Sequence, residues 1–189
     1  MTPELFGTLS TFLAIVAYVP YFLSMVRGST RPHVFSWVLW TLLTWIIFAA
    51  QAAAGAGPAA WSTGVTALFC IAITAAALRY GEKNITRTDW AALTAGLFTI
   101  PLWVWTKDPT ASAVLATAVD LVAFYPTFRK SWHKPREEMV FAHSVSLIKH
   151  ALCLPALVTV SLATTVYPAA LLVANIALVS MIIMRRRYR

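Results

Sequence analysis

Seven stretches of about twenty residues, each nearly free of charge, leave this chain few ways to fold. They run over 5–26, 33–54, 61–79, 89–106, 111–131, 139–162 and 167–184. A bilayer core takes about 17–25 apolar residues per helix, and each stretch is near that length. Backbone groups left unpaired in lipid cost several kcal/mol, so a spanning segment is a helix or a strand of a closed barrel. Strict two-residue alternation is missing here, which favours helices over barrel strands. Composition agrees: 59% of the 189 residues are hydrophobic and only 12% are charged, against about 25% charged in soluble domains. The expected fold class is an all-α integral membrane protein with seven transmembrane helices.

Charge placement predicts the orientation. All but two of the 15 Lys and Arg residues follow odd-numbered spans. They are Arg27 and Arg31, then Arg79, Lys83 and Arg87, then Arg129, Lys130, Lys134 and Arg136, then Arg185, Arg186, Arg187 and Arg189. The exceptions are Lys107, after span four, and Lys149, inside span six. The positive-inside rule then puts the N-terminus outside and the C-terminus in the cytoplasm, within the plasma (inner) membrane. Glu4 is the only charge ahead of the first apolar run, so that run reads as a retained span and not as a cleaved signal peptide. The net charge of +8 follows from this loop bias. It suits an anionic leaflet, and no nucleic-acid partner is expected. The two cysteines, Cys70 and Cys153, both lie in apolar runs and read as inert thiols. Neither a disulfide framework nor a four-ligand zinc site is available to them.

A shift of 106 residues brings one half of the chain onto the other. Pro20 falls on Pro126, Ala17 on Ala123, Tyr18 on Phe124, Phe22 on Phe128, and Val34-Phe35 on Val140-Phe141. With slight slippage, Pro58-Ala59-Ala60 falls on Pro168-Ala169-Ala170. Spans one to three thus pair with spans five to seven. An odd linker span makes the two triplets parallel. The expected organisation is a first three-helix repeat at 1–80, a linker helix at 81–108 and a second repeat at 109–189. Proline removes a backbone hydrogen bond and kinks a helix, so Pro20 and Pro126 are candidate hinges for a gate.

In this three-one-three pattern with a repeated proline, the chain resembles the SWEET and PQ-loop superfamily, whose relatives include the nicotinamide-riboside transporters and the KDEL receptors. Tyr21 and Thr127 stand where the family's Pro-Gln pair has glutamine. The resemblance implies movement of a small polar solute, or its reception. It also implies a solute-facing asparagine on the third helix of a repeat. Asn175 fits that place, while the first repeat carries Thr63 and Thr66 instead.

Ionisable groups inside a span are costly and face the bundle interior. Asp120, Lys149, His150 and Asn175 fall near the middles of their spans, which points to one hydrated pocket between the repeats. His143, Ser146 and His150 follow i, i+3, i+7 spacing and share a helix face. Under the shift they match Trp37, Trp40 and Thr44. The expected substrate-binding set is Trp37, Trp40, Thr44, Asp120, His143, Ser146, His150 and Asn175. One wall is then aromatic and the other hydrogen-bonding, which suits a small polar or ring-containing solute. Trp37 and Trp45 also fit as packing aromatics. Asp120 and Lys149 are expected either to pair, holding span five to span six, or to couple transport to protons together with His150, with Lys149 snorkelling or pairing elsewhere as the remaining alternative.

Other chemistries have less behind them. His143 and His150 lie about 10.5 Å apart along a helix and cannot share one metal ion. No motif places a nucleophile beside its base, so no enzyme activity, cofactor or metal is expected. A buried lysine and aspartate in seven spans also suit a retinal protein, but the lysine is in span six and the internal repeat points elsewhere. The expectation is a carrier working by alternating access, with a ligand-binding receptor of the same fold as the alternative. A homo-oligomer is left open.

Overall fold

The computed structural model describes residues 2–82, 85–106 and 108–187. Lys83, Lys107 and Arg189, used in the charge argument, lie outside the described residues. Seven α-helices follow in order: α1 (Pro3–Val26), α2 (Val34–Ala53), α3 (Ala59–Tyr80), α4 (Arg87–Thr106), α5 (Pro109–His133), α6 (Val140–Cys153) and α7 (Leu162–Arg187). A 3-10 turn, Pro135–Glu137, precedes α6. Among the described residues the extended pairing is confined to an isolated bridge between His33 and Glu82.

Local chemistry explains the helix ends. α1 and α5 open with proline in the first turn, where a missing N–H costs nothing. Asp108 caps α5 by accepting from the Thr110 amide at 2.9 Å. Just past the end of α1, Gly28 has a φ of +75° that suits glycine, and its amide bonds back to the Met25 carbonyl at 2.9 Å.

Five helices, α1, α2, α3, α5 and α7, are long and apolar enough to cross a membrane. Their surfaces are inverted relative to a soluble bundle. Large apolar side chains such as Phe12, Leu68 and Val173 point outward, while Ser10, Ser36, Gln51, Ser62, Thr66 and Asp120 are buried. That arrangement suits lipid outside and polar contacts between helices.

α6 differs from the expected span. It ends at Cys153, not near 162. Pro155 lacks an N–H and clashes with the preceding turn, so the helix stops just before it. With 14 residues it is only about 21 Å long. α7 in turn starts earlier than expected, at Leu162, with Pro168 inside the helix.

Each helix has defined neighbours. α3 packs on both α1 and α2, and α7 packs on both α5 and α6. Across the bundle, α1 packs on α6 and α2 on α5, while α4 lies against α5 and α2. Among the described residues, the α1 and α2 backbones stay apart and meet through the Tyr18, Tyr21 and Trp37 rings, and α5 and α6 do not pack on each other. Glycine permits one close crossing. A Cβ on Gly7 of α1 would sit 2.5 Å from Pro58 Cβ and 2.7 Å from its carbonyl oxygen.

Candidate functional site

Six helices surround an interior cavity of about 50 Å³. α1 contributes Tyr18 and Tyr21; α2, Trp37, Trp40 and Thr44; α3, Thr66 and Cys70. α5 contributes Asp120 and Phe124; α6, Ala142, His143, Ser146 and His150; α7, Tyr167, Leu171 and Asn175. Apart from the adjacent Ala142 and His143, the lining positions on each helix are three or four residues apart, so one face of each looks inward. All eight residues expected from the sequence, Trp37, Trp40, Thr44, Asp120, His143, Ser146, His150 and Asn175, line this cavity.

The aromatic wall is continuous. Trp37 and Trp40 meet edge to face at 5.0 Å, Tyr21 lies 5.2 Å from Trp37, and Phe124 lies 5.0 Å from Trp40. Across the cavity, His150 meets Tyr167 edge to face at 5.7 Å. Thr44 turns its hydroxyl back onto the Trp40 carbonyl. Three buried polar atoms of lining residues have no hydrogen-bond partner in the protein: Asp120 Oδ1, Trp40 Nε1 and His150 Nδ1.

The expected Asp120–Lys149 ion pair is not formed. Lys149 Nζ donates to Thr66 Oγ1 at 2.9 Å and sits 5.6 Å from the centre of the Tyr18 ring. Helix order supplies the reason. Asp120 is on α5 and Lys149 on α6, and α7 stands between those helices. Lys149 faces α1 and α3 instead.

A second polar group adjoins the cavity where α1 and α5 end and α6 begins. Its hub is Glu138, a buried residue just before α6. Glu138 Oε1 accepts from Tyr21 Oη at 3.2 Å, and Oε2 accepts from Lys130 Nζ at 3.0 Å. Lys130 also donates to the Arg31 carbonyl at 2.6 Å. His143 bridges hub and cavity, with Nε2 3.4 Å from Glu138 Oε1 and Nδ1 3.3 Å from Asn175 Oδ1. Arg186 of α7 donates to the Glu138 carbonyl at 2.8 Å. Burial would raise the Glu138 pKa, but the Lys130 charge and the His143 hydrogen bond and charge override it and hold the carboxyl down at about 2.

Glu138 and Lys130 were not among the expected site residues. Glu138 lies in a connector, and its partner under the 106-residue shift is Pro32, so the repeat gives no hint. The available signal was a pair of carboxylates, Glu137 and Glu138, set in an otherwise basic connection directly ahead of a span. Tyr21 was visible only as a departure from the family's glutamine.

Pro20 and Pro126 sit inside unbroken α1 and α5. Tyr21 follows Pro20 directly, and Lys130 is one turn beyond Pro126. Ser36 Oγ donates to the Ala123 carbonyl at 3.1 Å, on the turn where Pro126 removes a helical donor. At the other end of the bundle, Ala56, Ala59 and Ala60 pack with Ala156 and Leu157 in an apolar cluster. The Val158 amide there bonds to the Ala56 carbonyl at 3.3 Å.

Both cysteines are free and buried. Cys70 lines the cavity, and Cys153 Sγ lies 3.0 Å from Ser10 Oγ. Among the described residues no group of three or more His, Cys, Asp or Glu side chains could hold a metal ion. No family model, curated protein or solved structure gives a significant match to the chain.

Proposed function

We propose that this chain is a small-solute membrane carrier working by alternating access, with solute held in the interior cavity. The observation that carries this reading is the convergence of six helices, three from each half of the chain, on one polar-and-aromatic space.

The reading takes the fold as seven membrane-crossing helices in two parallel three-helix repeats, in the manner of SWEET and PQ-loop proteins, with α4 as linker. Helix neighbours support it. Exchanging α1 with α5, α2 with α6 and α3 with α7 turns the packing of the first three helices into that of the last three. The same exchange turns the α1–α6 contact into the α5–α2 contact. The Arg and Lys residues at the ends of α1, α3, α5 and α7 support an outside N-terminus and a cytoplasmic C-terminus.

In this reading the two ends of the cavity are gates of different chemistry. The cytoplasmic one is the Glu138 hub, which ties α1, α5, α6 and α7 together through charge-assisted hydrogen bonds. The outer one is the apolar cluster around Ala56 and Ala156. Pro20 and Pro126 lie where α1 and α5 must bend if the hub is to open.

Uptake into proteoliposomes tests the proposal. Purified protein is reconstituted and challenged with labelled sugars, nucleosides, vitamins, amino acids and amines, with Asp120→Asn alongside. Accumulation by wild type that Asp120→Asn abolishes supports a carrier. Saturable binding of a solute that never crosses the bilayer replaces the carrier with a receptor.

A further inference from the structure

We propose that the ligand of this cavity is a ring-bearing organic monocation, typified by a protonated arylalkyl amine. This rests on the reading of the cavity as the solute site and goes on to assign the charge of the solute.

Three observations carry it. First, the carboxyl group among the lining residues is Asp120, which is 1% exposed and has one oxygen without a partner. A buried carboxylate is stable only when paired or well hydrogen-bonded, and an N–H-bearing cation supplies both. Second, the lining includes no lysine or arginine. Lys149 is engaged by Thr66 and the Tyr18 ring. His143 is held between Glu138 and Asn175. Neither is placed as a counter-charge for an anionic solute. Third, aromatic faces bound the same space, with Trp40 in contact with both Trp37 and Phe124. Aromatic faces attract cations and stack flat rings, and the attraction grows once water is excluded.

The remaining unpaired atoms refine the fit. Trp40 Nε1 is a donor without an acceptor, and His150 Nδ1 donates or accepts according to its tautomer. A solute with an ammonium toward Asp120 and an oxygen toward Trp40 would satisfy both walls. Sugars offer neutral hydroxyls and would bring Asp120 no counter-charge. Carboxylate solutes would meet it with repulsion.

The test uses matched probes that differ only in charge: tryptamine, tryptophol and indole-3-acetate, then phenethylamine, 2-phenylethanol and phenylacetate. Binding to the detergent-purified full chain is read by quenching of tryptophan fluorescence for the phenyl series and by calorimetry for the indoles. The amine should bind about tenfold or more tighter than its alcohol, as a hydrogen bond to a charged group implies, with the acid weakest. Asp120→Asn should bring amine and alcohol to equal affinity, and Asp120→Glu should keep the amine preference. Equal binding of alcohol and amine by wild type, an amine preference that survives in Asp120→Asn, or no amine binding in either series would overturn the proposal. The carrier reading is judged separately by uptake. An amine that binds selectively but never enters the vesicles removes the carrier and leaves the charge assignment standing, whereas uptake of a neutral solute with no amine preference does the reverse.

Discussion

Tyr21 Oη donates to Glu138 Oε1 at 3.2 Å, although the two residues are 117 positions apart. The bond ties the residue after the α1 proline to the connector ahead of α6. Because Lys130 and His143 meet the same carboxylate, α1, α5 and α6 are joined at a single side chain.

Removing that carboxylate leaves the Lys130 ammonium buried without its counter-charge. The two side chains are only 6% and 2% exposed. Glu138→Ala is expected to destabilise the protein by about 3 kcal/mol or more, the usual cost of breaking a buried pair from one side. Tyr21→Phe should cost about 1 kcal/mol, the net worth of one hydrogen bond. Glu138→Gln combined with Lys130→Met should be milder than Glu138→Ala. Thermal unfolding in detergent ranks the three, and a Tyr21→Phe cost equal to that of Glu138→Ala would contradict the hub.

The same residue sets an acid limit. Its folded-state pKa is depressed from 4.5 to about 2, mainly by the opposing charge of Lys130 against the effect of burial. The associated stability is therefore complete above about 4.5 and is lost as pH falls through about 2. Tm measured at decreasing pH should fall for wild type across that window, and the gap between wild type and Glu138→Gln should narrow. A constant gap would show that Glu138 keeps no excess charge stabilisation.

Pro126 offers a separation of binding from movement. Pro126→Ala restores a helical N–H and should stiffen α5 beside Lys130. Solute affinity should change little, while the uptake rate drops several-fold. Equal losses of both would mean that the proline shapes the cavity and not its opening.

The crossing at Gly7 is sterically tight. A methyl group there would meet Pro58 backbone and side chain at 2.5–2.9 Å. Gly7→Ala should cost about 1–3 kcal/mol, as overpacking does, since backbone must shift to admit it. Gly28→Ala meets no atoms within 4 Å and should cost only what its positive φ imposes. A chemical or thermal unfolding series with both variants checks the order.

Much of the cavity was legible in the sequence because few polar groups interrupt long apolar helices. His143, Ser146 and His150 stand out on α6, and helical spacing alone puts them on one face. The aromatic lining was harder. Tyr18, Phe124 and Tyr167 look inward while Phe12 and Trp45 look outward, and residue type does not separate those fates. The Asp120–Lys149 pair failed for a different reason. Opposite charges at similar depth suggest contact, but contact depends on which helices are neighbours, and that order is set by packing in three dimensions. Glu138 was hidden because its burial comes from α1, α5 and α7 closing over a connector, something no local pattern records.

Helix order also governs how the molecule comes together. α1 and α2 are neighbours in sequence yet meet only through the Tyr18, Tyr21 and Trp37 rings among the described residues, with α3 packed on both, and α5 and α6 are joined in the same way by α7. Each trio is thus an arch whose keystone is laid last. Asp120 on α5 and His150 on α6 therefore face one cavity only because α7, carrying Tyr167 and Asn175, closes the wall between them.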